Sequence, residues 1–147
     1  MTQALDAERL GQIRDNAAFA VGEFGALAES SFSYDAESVA WVEGFIERQR
    51  GRQSEGGTPQ GLIAVIGSYL GEAIIAAAGG AWIEDDAGGI GVRFPNGDTA
   101  YPFTKVRKQF EQGLQSGESI ASFYNVSVNF VATGKLHEEA AGSGEAR

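Results

Sequence analysis

The chain has 147 residues, 43% of them hydrophobic and 10% aromatic, which suits one domain with its own core and lies far from the composition of a disordered chain. Its 20 acids against 11 bases leave a formal charge of −9, which repels phosphate backbones and anionic lipid, so neither a nucleic acid nor a membrane is expected as a partner. The absence of cysteine excludes disulfides, thiolate metal sites, iron–sulfur clusters and cysteine nucleophiles, and the polar, acidic start lacks a signal-peptide pattern, so the chain reads as cytoplasmic.

From residue 3 to 29, Leu10, Ile13, Ala17, Ala20, Phe24 and Leu27 recur in steps of three and four, which predicts one amphipathic helix with a single apolar stripe. The stripe is short and carries two alanines, so packing within its own domain is favoured over a coiled coil. Gly22 and Gly25 weaken the last turns, and Ser30 to Ser33 marks the exit. Asp35 then caps a second helix whose inner face is Val39, Val42, Phe45, Ile46 and Gln49, with Trp41 at its edge and Gly51 as its stop. Glu43, Glu47, Arg48 and Arg50 are expected to face water, and the polar run from Arg50 to Thr58 reads as a mobile connection.

Thr58 caps a third helix that opens with Pro59 and closes at Gly79-Gly80. Apolar residues from Leu62 to Ile75 surround it and leave only a narrow polar line through Ser68 and Glu72, the pattern of a helix at the centre of a fold. The stretch from Leu62 to Ile83 is long enough to span a bilayer. Its glycines, its alanine-rich second half and the mid-span Glu72, costing about 2.5 kcal/mol or more in lipid, favour a buried helix. Gly67 and Gly71 sit four apart and remove bulk from one side, so another element, with helix one or two as examples, can approach the backbone closely there.

Three strands follow, Ala81 to Glu84, Ile90 to Phe94 and Thr99 to Phe103, joined by turns at Asp86-Ala87-Gly88-Gly89 and Asn96-Gly97. Alternation places Trp82 and Ile83 on opposite faces, and Ile90, Val92 and Phe94 on one side. Thr104 is expected to cap a fourth helix that runs to Gln112, stops at Gly113, buries Val106 and Phe110, and displays Lys105, Arg107 and Lys108. Residues 119–131 fit both a strand, through Val126, Val128 and Phe130, and a helix, through Ile120, Phe123, Tyr124 and Val128; the helix is favoured. The fold class is therefore α+β, with N-terminal helices packed on a three-stranded antiparallel meander and one or two C-terminal helices. Residues 1–132 form the domain and 133–147 a flexible acidic tail.

Chemistry is sparse. The only histidine, His137, falls in the tail, so histidine acid–base catalysis, a serine triad and a histidine metal site have no candidate. No phosphate loop or nucleophile-elbow motif is present, and the Gly88-to-Gly91 run opens a strand where a dinucleotide fingerprint opens a helix. Glu84, Asp85 and Asp86 lack the ligand spacing of a calcium loop and read as solvated acids on a hairpin, so no metal and no cofactor are expected. Glu72 is the sharpest candidate. A lone carboxylate on an apolar helix must be solvated in a crevice, paired with Arg93 or a base of helix four, or protonated. Ser68, Tyr69, Trp82, Arg93 and Tyr101 are the residues that would line a ligand pocket with it, and Lys105, Arg107 and Lys108 form a second candidate, an anion patch.

The segments W-V-E-G-F-I-E-R-Q-R at 41–50, Y-L-G-E at 69–72, G-G-A-W at 79–82 and Y-P-F-T-K-V at 101–106 resemble a bacterial protein family of unknown function. The likeness covers about residues 38–112 and implies no activity, cofactor or catalytic residue. The reading that follows is a non-catalytic interaction domain that binds another protein or itself through the sheet edge or the N-terminal helix. A narrower form is an immunity or inhibitor protein whose acidic surface masks a basic site. The alternatives are a small-ligand binder or enzyme built on Glu72 and an anion-recognition module built on the basic trio.

Overall fold

A computed structural model describes residues 2–29, 31–52 and 59–134. The Thr58 cap, most of the connection before it, His137 and the tail from residue 135 onward lie outside the described residues. The protein is α+β, with five α-helices and one four-stranded antiparallel sheet among those residues.

The N-terminal segment does not start as helix. Gln3–Ala4 forms a short strand, β1, and Asp6 then caps helix α1, Ala7–Ala28, by accepting the Arg9 N–H at 2.8 Å. Two residues are too few to show a period, so the sequence pattern could not reveal β1. Ile13, Ala17, Ala20 and Phe24 are buried as the stripe requires, but Leu27 is not; it is 62% exposed, while Val21 packs against the core in its stead. Asp35 caps α2, Ala36–Arg52, by accepting the Ser38 N–H at 2.8 Å, and the helix continues through Gly51.

Two of the four α2 charges assigned to water tie the fold together instead. Arg50 donates from Nε to the Phe110 carbonyl at 3.1 Å and pairs with Glu47 at 3.1 Å. Glu47 also accepts from Gln109 Nε2 at 3.0 Å, and the Gln109 Oε1 accepts the Ile120 N–H at 2.7 Å. Gln109 is fully buried, so this chain of bonds joins α2 to the C-terminal helices through the interior.

Helix α3, Gln60–Ala78, packs against α1, α2, α4, α5 and the sheet, and is the axis its composition predicts. It is long and apolar enough to cross a bilayer, and 50% of that apolar stretch is buried inside the fold. Gly79, with φ 79°, ends it and donates its N–H to Ile75. Strands β2, Ala81–Glu84, β3, Ile90–Arg93, and β4, Thr99–Ala100, continue the sheet in the order β1-β2-β3-β4. The meander is thus present with an extra edge strand, pairing Gln3 with Glu84 and Ala4 with Ile83.

The last expected strand is shorter than its alternation suggested. Pro102 opens helix α4, Pro102–Gln112, so Tyr101 is the cap position and Thr104 lies inside the helix. Proline at a first helical position loses no hydrogen bond, which favours this start over a strand edge. Gly113 stops α4 as expected. After a 3-10 turn at Leu114–Ser116, Ser119 caps α5, Ile120–Val126, which runs into a π-helical segment at Ser127–Val131. The ambiguous region is therefore helical. Asn96 of the β3–β4 turn docks on it, donating to the Val131 carbonyl at 2.7 Å.

Candidate functional site

Glu72 and Trp82 come together because α3 turns back at Gly79-Gly80 into β2. The indole Nε1 donates to Glu72 Oε2 at 2.8 Å. A side chain on Gly71 would meet the Trp82 ring, and one on Gly67 would meet Phe103, so the elements that approach the small-residue side of α3 at these glycines are β2 and α4, through two aromatic side chains. Trp82 and Phe103 also touch each other, with centroids 5.5 Å apart.

Glu72 is half-buried and opens onto a cavity of about 230 Å³. Ala4 of β1 and Leu5 just after it form part of its wall, α1 supplies Leu10 and Arg14, and α3 and β2 supply Ile75 and Trp82. The expected ion pair to Arg93 or to a base of α4 does not form; among the described residues the partner of Glu72 is the neutral indole. Its charge reaches Tyr34, whose hydroxyl is pushed up by burial first and by Glu72 second.

The other residues expected around Glu72 stand elsewhere. Ser68 is fully buried and donates to the Ala64 carbonyl at 2.7 Å. Tyr69 is fully buried and donates to the Ser33 carbonyl at 2.6 Å, with Tyr34 stacked on its ring at 5.4 Å. Burial, reinforced by the nearby Asp35 charge, drives the Tyr69 hydroxyl well above its ordinary range. Tyr101 donates to Asp85 Oδ2 at 2.8 Å. Arg93 is exposed and lines a shallow groove with Phe94 and Pro95. Arg14, Leu5 and Leu10 were missed, because only tertiary contacts bring them to Glu72: the packing of α1 on α3 places Leu10 and Arg14, and the β1–β2 pairing places the segment that holds Leu5.

The basic trio is divided. Lys105 pairs with Glu118 at 2.9 Å, and it lines a groove of about 240 Å³ with Lys108, Tyr101 and Phe123. Arg107 is exposed and is not part of that groove. The hairpin acids are also more than solvated. Asp85 accepts the Gly89 N–H at 2.7 Å and the Ala87 N–H at 3.0 Å besides the Tyr101 hydroxyl, and these bonds hold its carboxyl below the usual range. Glu84 pairs with Arg9 at 3.2 Å. Among the described residues no group of three His, Cys, Asp or Glu side chains is placed to hold a metal ion.

A second surface feature lies on the outer side of α1. Asp15, Phe19, Glu23 and Leu27 follow one another four residues apart and all are exposed, Phe19 at 58% and Leu27 at 62%. Beside this ridge runs a row of small exposed residues, Ala18, Gly22 and Ala26. A ridge next to a shallow groove, both along four-residue rows, is the geometry by which a second helix packs. Comparison with family models, with curated proteins and with solved structures returned no match.

Proposed function

We propose that the chain is a non-catalytic protein-interaction domain that receives a basic amphipathic helix of a partner protein on the outer face of α1. The single observation that carries this reading is the exposed ridge of Asp15, Phe19, Glu23 and Leu27 along one line of that helix. Isolated exposed apolar residues are ordinary, but here two large ones share a line with two carboxylates and flank a row of small residues. Burying Phe19 and Leu27 against a partner supplies the apolar gain, roughly 1.5–3 kcal/mol for each side chain removed from water. The acids select a cationic partner and speed its approach, as does the net charge of −9. The same charge opposes pairing between two copies of this chain. An immunity or inhibitor role, in which an acidic domain covers a basic surface, is the biological form that suits these features.

The test is titration of the full chain with a fluorescent helical peptide of lysine and leucine in amphipathic order, and with its glutamate and leucine counterpart. The expected result is salt-sensitive binding of the basic peptide alone, lost in Phe19→Ser and Leu27→Ser variants of unchanged melting temperature. Equal binding by the variants overturns the reading. A dimer by sedimentation that dissociates on the same substitutions would assign the face to self-association instead.

A further inference from the structure

We propose that the partly open cavity lined by β1, α1, α3 and β2 is a binding site for a small aliphatic α-amino acid, with the ammonium group on Glu72 and the carboxylate on Arg14. The inference is independent of the α1 outer face. Three features of the cavity carry it.

The first is the charge on Glu72. Trp82 occupies Oε2 at 2.8 Å and fixes the side chain, yet a neutral donor leaves the negative charge uncompensated. Among the described residues no Lys or Arg lies within ion-pair distance of Glu72. A carboxylate offers acceptor positions on both oxygens, so Oε1 is available to an ammonium donor, and such a charge-assisted bond is about twice as strong as a neutral one.

The second is the opposite charge at the same cavity. Arg14 contributes to its wall from α1, and no ion pair joins it to Glu72 among the described residues. A guanidinium offers the paired donors that a carboxylate accepts in two parallel bonds. A cation and an anion that share one small space without touching are complementary to a zwitterion that fits between them.

The third is the lining. Leu5, Leu10 and Ile75 supply apolar walls, and the volume of about 230 Å³ falls below the roughly 300–1,000 Å³ of sites that take drug-sized molecules. The space therefore suits a ligand of a few heavy atoms with an aliphatic body. Strand β1, joined to β2 by the Ala4–Ile83 pairing, forms one wall.

The experiment is calorimetric titration of the full chain with L-leucine, L-isoleucine, L-valine and L-methionine. It is repeated with 3-methylbutylamine, which is leucine without its carboxylate, and with 4-methylpentanoate, which lacks the ammonium. At least one amino acid is expected to bind, and loss of either pole is expected to weaken leucine-type binding about tenfold or more. Glu72→Gln keeps an acceptor for Trp82 while removing the charge, so it should lose binding with the fold intact by circular dichroism. Arg14→Gln changes an exposed side chain and should reduce the affinity for leucine to that for the amine. No heat from any of the four amino acids overturns the proposal, as does an amine that binds the wild type as tightly as leucine. If Glu72→Gln does not fold, Arg14→Gln decides, and unchanged leucine affinity in that variant refutes the site.

Discussion

Trp82 donates its indole N–H to Glu72 at 2.8 Å while its ring fills the space that a side chain at Gly71 would need. One aromatic residue thus fixes the only charged side chain of α3 and seals the helix to β2. The packing makes a prediction about glycine. Gly71→Ala is expected to destabilise the protein by about 1–3 kcal/mol, because the added methyl meets a ring held between Gly71 and Phe103. Gly11→Ala on α1 has nothing within 4 Å of the new methyl and is expected to stabilise by about 0.5–1 kcal/mol through helix propensity. Urea denaturation of both variants checks the pair, and equal signs would refute the packing argument.

The Glu72 bond itself can be separated from the ring. Trp82→Phe retains most of the apolar surface but removes the N–H, so Glu72 loses its described donor. A hydrogen bond to a charged acceptor contributes roughly 1.5–3 kcal/mol, and the half-buried position of Glu72 places the expected loss near the lower end. Trp82→Phe in a Glu72→Ala background should cost less than it does alone. A double-mutant cycle measures that coupling.

Gln109 provides a third test. It is fully buried, donates to Glu47 and accepts the Ile120 N–H. Gln109→Leu keeps similar bulk but leaves the Ile120 N–H without that acceptor, and an unsatisfied buried donor costs about 1–3 kcal/mol. The expected outcome is a loss of that size, accompanied by faster amide exchange at residues 120–124 if the bond anchors the start of α5. Unchanged exchange there would show that α5 is held by packing alone.

Much of this fold was legible because its signals are local. Asp35 at a helix start and Gly113 at a helix end act within one turn of chain, and the apolar wrapping of α3 declares its central place. The misreadings occur where local pattern and tertiary pairing compete. Tyr101, Pro102 and Phe103 alternate as a strand would, yet Pro102 is also suited to a first helical turn, and α4 takes it. Strand β1 is held by pairing with Ile83 and Glu84, residues distant in the chain, and carries no periodicity of its own. The same holds at the site. Glu72 was conspicuous as a lone charge, but a neutral indole as its partner and Arg14 across the cavity depend on which segments meet in space. The exposure of Leu27 was hidden by a stripe that continues one turn further in sequence than the core does in structure.

The Asp85–Tyr101 bond predicts behaviour in acid. The Tyr101 hydroxyl first, and the Gly89 N–H second, hold the Asp85 carboxyl below its ordinary value of 3.8. A carboxyl depressed in the folded state stabilises the fold above its unfolded value, and that contribution disappears as pH falls through the folded value. Wild-type stability should therefore decline below about pH 4 in part through Asp85. Asp85→Asn and Tyr101→Phe should each be less stable at neutral pH, and each should lose less on acidification. Parallel acid melting curves for wild type and Tyr101→Phe would remove this bond from the account.

The alkaline side depends on Tyr69. Its hydroxyl donates to the Ser33 carbonyl in a fully buried site, and burial, with the Asp35 charge adding to it, raises its ionisation above the ordinary 10.0. A tyrosine raised in the folded state gives a contribution that is complete below the unfolded value and is lost as pH climbs through the folded one, because the unfolded chain releases its proton first. Tyr69→Phe removes the hydrogen bond to Ser33 and should cost about 1 kcal/mol near neutrality. It also removes the alkaline penalty, so the stability gap between variant and wild type should narrow above pH 10. Tyrosinate absorbance followed against pH, together with denaturation at each pH, checks both halves. A Tyr69 that titrates at its ordinary value in the folded protein would contradict the buried hydrogen bond on which the α1–α2 turn rests.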